Sequence, residues 1–149
     1  MGRGTAKPFE QVGAPYVDGV QLAAALNAHA LPGVRFEAVK FTPSMPFYPG
    51  PAAYRKYKDQ ECGGVRAILT DRTRCHVVDI GIELALAIHR LYSDKFKVED
   101  MGRLLGDDAT LQAIQAGESL AQIKARWAAG LAHFEQRRRA ALLYPERQR

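Results

Sequence analysis

Apolar positions in this chain repeat at two periods, and the switches between them mark the elements. Leu22, Ala25, Leu26 and Ala30 recur at helical spacing behind Asp18 and Gln21, a pair spaced as a capping box at a helix start. Pro32-Gly33 ends that helix. Val34 to Thr42, rich in Val and Phe, reads as a strand broken by Pro43. A second strand, Val65 to Thr70, opens after Gly63-Gly64, and its continuous Ala67-Ile68-Leu69 predicts burial on both faces. Ile80, Leu84, Ala87, Ile88 and Leu91 mark an amphipathic helix from about Asp79 to Tyr92.

The last third is helical throughout. Leu104-Leu105-Gly106 ends a short turn, and Asp108 is the expected cap of a brief helix carrying Leu111 and Ile114, closed by Gly117. Ser119 and Gln122 form a second capping box. Behind it Leu120, Ile123, Trp127, Leu131 and Phe134 recur at spacings of three and four, so the final helix should lay one face on the core. Two stretches lack either period. Residues 1–15, rich in Gly, Pro and polar residues, read as a loop lying against another surface; residues 43–60, with Pro43, Pro46, Pro49 and Pro51, read as a long irregular loop. The order of elements predicts an α+β fold, a small mixed sheet covered by helices with a long C-terminal helix.

Composition adds limits. A chain of 149 residues with 47% hydrophobic and 25% charged residues is one globular domain and not a disordered segment. No run of 18 apolar residues exists, so no membrane span is expected, and the first residues contain no apolar stretch of a secretory signal. The net charge of +5 gathers towards the two ends of the chain. Near the C-terminus it comes from Arg137, Arg138, Arg139, Arg147 and Arg149, where cations complement a helix dipole. No aromatic residues interleave with them as a nucleic-acid stacking platform requires, so nucleic-acid binding is not expected. Cys62 and Cys75 have no CxxC or CxxH partners and read as two buried free thiols. His29, His76, His89 and His133 are scattered without an i, i+4 pair, so neither a metal nor a cofactor is expected. The pairs Glu99-Asp100 and Asp107-Asp108 are explained by helix capping.

Three places carry candidate chemistry. Gly2-Arg3-Gly4-Thr5 sets a guanidinium between glycines, which allow close backbone approach while Arg offers a planar fork to a carboxylate or phosphate. Glu61-Cys62-Gly63-Gly64 sits where the long loop meets a strand; Cys62 reads as a small buried thiol beside a strand bulge unless a base lies near it. Phe47, Tyr48, Tyr54 and Tyr57 place aromatics in a loop, where they either fold back onto the protein or stack on a ligand such as a sugar ring.

Taken in order, Gly2-Arg3-Gly4-Thr5, Pro8-Phe9-Glu10, Gly13-Ala14-Pro15-Tyr16, Leu31-Pro32-Gly33-Val34-Arg35-Phe36, Phe41-Thr42-Pro43, Tyr54 to Tyr57, Cys62-Gly63-Gly64-Val65 and Leu142-Leu143-Tyr144 cover nearly the whole chain. In that order they resemble the C-terminal part of the NamZ-type exo-β-N-acetylmuramidases of bacterial cell-wall turnover, formerly a domain of unknown function. The loop from Ser44 to Ala53 is longer and richer in proline than the family pattern. The resemblance implies a two-part hydrolase of terminal N-acetylmuramic acid: a Rossmann-like N-terminal half carrying the catalytic glutamate, and a C-terminal half, residues 1–149 here, that shapes the sugar cleft. It further implies a periplasmic or extracellular setting, a muramic-acid saccharide as ligand, and the Rossmann-like half as partner in cis or in trans.

On this reading no catalytic residue lies in the chain, and it is inactive without its other half. Arg3 would bind the lactyl carboxylate of muramic acid, with Thr5, Phe9 and Tyr57 as further contacts and the Cys62-Gly63-Gly64 backbone as cleft floor. Two other readings stand beside it: a non-catalytic module that binds a muropeptide or other carbohydrate, and a basic adaptor for nucleic acid or protein using the C-terminal arginines. A domain built to close a cleft should also leave an apolar or aromatic patch uncovered on one side.

Overall fold

A computed structural model describes residues 2–44 and 56–144. The elements follow in the order β1 (Gln11–Ala14), α1 (Gly19–Ala28), β2 (Val34–Phe41), β3 (Cys62–Leu69), α2 (Val77–Tyr92), a 3-10 turn (Val98–Met101), α3 (Gly102–Leu105), α4 (Asp108–Gln115) and α5 (Leu120–Ala141). The class is α+β with a long last helix, as expected. The sheet is not mixed: β3 lies between β1 and β2, and both pairings are antiparallel.

The expectation of a featureless loop over residues 1–15 fails at β1. Four residues containing one valine and one glycine carry almost no strand signal, and β1 exists because β3 supplies its partners, from Gln11 opposite Arg66 to Ala14 opposite Gly63. The second strand starts earlier than expected, at Cys62, with the glycine pair inside it. Glycine weakens a strand by propensity, but here another backbone occupies the space of a side chain. A Cβ on Gly63 would stand 2.1 Å from the Val17 carbonyl oxygen, one on Gly64 2.1 Å from that of Val12, and one on Gly19 2.3 Å from that of Gly64. The start of α1 and the edge strand β1 therefore close directly onto the β3 main chain.

Burial on both faces at Ala67-Ile68-Leu69 is also not found. Leu69 is 52% exposed, and the deep positions of the strand are Cys62 and Val65. In a three-stranded sheet with helices on one face, alternate residues turn outwards. Phe36, Val65 and Ala67 pack with Leu22 and Leu26 of α1 and with Leu84, Ala87, Ile88 and Tyr92 of α2. Asn27 ties α1 to the edge of the sheet: its side-chain amide donates to the Phe36 carbonyl and its oxygen accepts from the Phe36 N–H, both at 2.9 Å. Those bonds occupy main-chain groups that an edge strand otherwise offers to a neighbour.

A second core lies on the other side of α2, where Ile82, Ala85 and Leu86 meet Val98, Ala113, Ile114 and Ile123. The chain is thus layered as sheet, α1 with α2, then α4 with α5. Both caps of the α4–α5 region form, with one shift: Asp107 and not Asp108 accepts from the Thr110 N–H, at 3.2 Å. Ser119 and Gln122 complete their capping box. At α1, Asp18 accepts from the Val20 and Gln21 N–H groups as expected, but its own N–H donates to the Tyr92 hydroxyl at 2.9 Å. A tyrosine 74 residues away thus serves the cap where the local pattern pointed to Gln21. The final helix does not lay its whole face on the core: Ile123 is buried, whereas Leu131 and Phe134 are about half exposed. No described helix is long and apolar enough to cross a membrane.

Because backbone atoms flank Gly64 on both sides, Gly64→Ala should lower stability by about 3 kcal/mol, the upper end for overpacking. Urea unfolding reads this directly; a loss of less than about 1 kcal/mol would mean the strands can separate to admit a methyl group.

Candidate functional site

The end of the sheet where Gly13 pairs with Gly64 and Phe41 with Cys62 forms the wall of a small cavity of about 150 Å³. The rest of the lining includes Gly2, Arg3, Pro43, Lys56 and Tyr57. Three of the expected site residues, Arg3, Tyr57 and Cys62, are therefore brought together from positions far apart in the chain.

Arg3 reaches this cavity through a built turn. Gly2 and Gly4 have φ of +56° and +79° and are buried, as is Thr5, while Arg3 between them is exposed. The Thr5 hydroxyl donates to the Gly2 carbonyl at 2.6 Å and accepts from the Gln11 side-chain amide at 3.0 Å and the Lys7 N–H at 3.2 Å. The Ser44 N–H donates to the Gly4 carbonyl at 2.8 Å, fastening the turn to the end of β2. Thr5 thus holds the turn, its hydroxyl engaged within the loop. Among the described residues the Arg3 guanidinium has no hydrogen-bond or ion-pair partner.

Tyr57 sits at φ +60°, a region that bulky L-residues rarely occupy. Its ring meets Tyr16 edge to face at 6.5 Å, and Tyr16 meets Tyr92 at 5.7 Å, a chain of rings running from the cavity to the cap of α1. Burial, with help from the neighbouring Tyr57, pushes the Tyr16 hydroxyl up to about 12, so it keeps its proton at neutral pH. Lys56 Nζ stands 5.5 Å from the Tyr57 ring centroid, within cation–π range. Among the described residues, the lining of the cavity carries two cations, Arg3 and Lys56, and no Asp, Glu or His.

The other expected residues fall elsewhere. Phe9, at φ +70°, is 74% exposed and lines no part of this cavity. Gly63 opens onto a neighbouring groove of about 460 Å³ between residues 15–20 and the stretch from Ala38 to Lys40. Gly64 is buried against β1 and lines neither. Of the aromatic loop, Phe47, Tyr48 and Tyr54 lie outside the described residues, as do Arg147 and Arg149. Tyr16 and Lys56 were not singled out as site residues, although each is adjacent in sequence or in space to one that was. Both fall inside motif pieces, Gly13-Ala14-Pro15-Tyr16 and Tyr54 to Tyr57, but the pieces do not reveal the ring and cation contacts that set them at the cavity.

Cys62 is fully buried, and burial pushes its thiol above the ordinary range, away from the nucleophilic thiolate. Its Sγ lies 3.6 Å from the Gln60 carbonyl oxygen. Cys75 is also a free thiol but only half buried, a correction to the expectation of two buried ones. Among the described residues no three His, Cys, Asp or Glu side chains gather as a metal site. At pH 8 a soluble disulfide reagent should modify Cys75 at least ~10-fold faster than Cys62, whose thiolate forms at higher pH. Equal rates in single-cysteine variants would show that Cys62 is open and activated.

The family described as exo-β-N-acetylmuramidase NamZ, C-terminal, matches residues 1–144. The peptidoglycan β-N-acetylmuramidase NamZ of Bacillus subtilis strain 168 is 34% identical over 146 residues, which are 96% of this chain and 33% of that protein. The chain thus spans about a third of the length of this relative. The crystal structure of a DUF1343 family protein from Bacteroides fragilis superposes with a TM-score of 0.77 at 20% identity, over 97% of this chain and 37% of that one, and so shares the fold. On the strength of a match from the GRGT turn through the end of α5, the chain belongs to the family of C-terminal domains of NamZ exo-β-N-acetylmuramidases.

Proposed function

We propose that this domain forms the substrate-recognising wall of an exo-β-N-acetylmuramidase and that Arg3 binds the lactyl carboxylate of a terminal muramic acid residue. The observation that carries this reading is the Arg3 guanidinium, held outwards by two buried glycines at a cavity whose described lining contains a second cation and no carboxylate. A guanidinium without a partner among the described residues, at the mouth of a pocket, is suited to a bidentate carboxylate, and the lactyl group is what distinguishes muramic acid from glucosamine. The Tyr57 ring, backed by Tyr16, offers an apolar surface for a sugar face.

Glycoside hydrolysis generally needs two carboxyl groups about 5–9.5 Å apart across the scissile bond. The described lining of the cavity supplies none, so the catalytic acid is assigned to an N-terminal, Rossmann-like part such as the remainder of the longer relative would contain, joined in cis or docked in trans. Phe9, exposed and held at a left-handed φ, is a candidate contact for that part and not for the sugar.

The test is release of N-acetylmuramic acid from a synthetic disaccharide by a full-length enzyme carrying this domain. Arg3→Ala should lower kcat/KM about 10- to 100-fold, the loss of one charge-assisted pair, with Arg3→Lys recovering part of it. An unchanged rate removes Arg3 from recognition. Hydrolysis by this domain alone would overturn the assignment of the catalytic acid to another part.

A further inference from the structure

Helix α1 crosses beneath the sheet at a slant. Its first residue, Gly19, stands against Gly64 of the central strand, and Asn27 near its end reaches the Phe36 main chain at the outer edge of β2. The far end of β2 is left without a helix below it: Phe36 is buried, whereas Ala38 and Lys40, on the same face of the strand, are exposed. They border the groove of about 460 Å³ whose opposite wall is the stretch from Pro15 to Val20, and Val20 there is 71% exposed.

The main chain along this edge has a direction. Asn27 bonds both the N–H and the C=O of Phe36 from outside the sheet, so Phe36 turns those groups away from β3. Alternation along an antiparallel strand turns those of Ala38 and Lys40 the same way. Asn27 thus stands in for a neighbouring strand at one position, and among the described residues nothing does so at the next two. The lysine that commonly guards a bare edge is drawn back here, since Lys40 Nζ bonds the Glu61 carboxylate at 3.0 Å on the β3 side.

We infer that β2 accepts a fourth strand: an extended segment of the N-terminal part carried by longer relatives pairs with the main chain of Ala38 and Lys40 and lays an apolar side chain over Val20. Main-chain donors and acceptors repeating at every second residue are matched by extended polypeptide, which supplies the same repeat. The inference rests on the reading that such a part completes the enzyme. The groove and the candidate sugar cavity share one end of the sheet: Lys40 and Gly63 border the first, and Phe41 and Cys62, next along their strands, border the second. A part that closes the cavity is therefore adjacent to this edge. The match covers 33% of the Bacillus subtilis relative, which leaves about two thirds of that protein to supply the segment.

Amide hydrogen exchange compares the 149-residue chain with a full-length enzyme carrying this domain. The Ala38 and Lys40 amides should be unprotected in the chain alone and exchange at least ~10-fold more slowly in the full-length enzyme. Ala38→Pro removes a donor that β3 does not use, so the chain alone should keep its urea midpoint while the Lys40 amide of the full-length enzyme loses its protection. Val20→Asp, at an exposed position, should release the Lys40 amide in the same way with the β2 main chain untouched. Equal exchange in the two proteins overturns the inference. So does protection already present in the chain alone, whether from its own residues or from a second copy, and so does protection that neither variant lowers. Sugar recognition by Arg3 is read from the rate of Arg3→Ala and the added strand from exchange, so either assignment can fail while the other stands.

Discussion

Everything at the working end of this domain rests on a contact between main chains. Gly63 and Gly64 let β3 touch the turn before α1 on one side and β1 on the other, at distances no side chain could share. Main-chain contacts of this kind cannot relax by rotating a side chain, so the three pieces are fixed relative to each other. The consequence is a rigid corner in which Cys62, Phe41 and Gly13 sit side by side as the wall of the cavity.

The remaining parts of the site are fastened to that corner. The Thr5 hydroxyl shapes the GRGT turn and Ser44 ties it to the end of β2, so the exposure of Arg3 is a product of two buried, left-handed glycines and not of a loose chain end. Tyr57 is held in a strained backbone conformation, which persists only where surroundings enforce it. The ring contacts to Tyr16 and Tyr92 supply part of that enforcement, and the Tyr92 hydroxyl carries it onward to the cap of α1. The backbone at Arg3 and Tyr57 is thus held by contacts within the protein itself, at the edge of the cavity they line.

How much of this could be read from the residues alone varied with the range of the forces involved. Helix caps at Asp18 and Ser119 and the apolar rows of α1, α2 and α5 are local, and they were legible. The strand β1 was not, because its four residues are strand only through β3. The glycine pair read as the opening of a strand and turned out to lie within one, since the reason for those glycines is the backbone of Val12 and Val17, far earlier in the chain. Burial at Ala67 to Leu69 was overestimated because a run of apolar residues does not reveal how many faces of a sheet are covered. Arg3, Tyr57 and Cys62, expected as ligand contacts from motif order, line one cavity; the holding role of Thr5 and the backing role of Tyr16 depend on hydrogen bonds and ring contacts that spacing does not encode.

The central claim is that the cavity at the sheet end recognises a carboxylate-bearing amino sugar through Arg3. Heteronuclear NMR of this domain titrated in parallel with N-acetylmuramic acid and N-acetylglucosamine tests it most directly. The account predicts that the Arg3 side-chain Nε–H and the amides of Gly2, Gly4, Tyr57 and Cys62 shift with N-acetylmuramic acid and stay in place with N-acetylglucosamine. Equal shifts with both sugars, or shifts gathered on another surface, would contradict it.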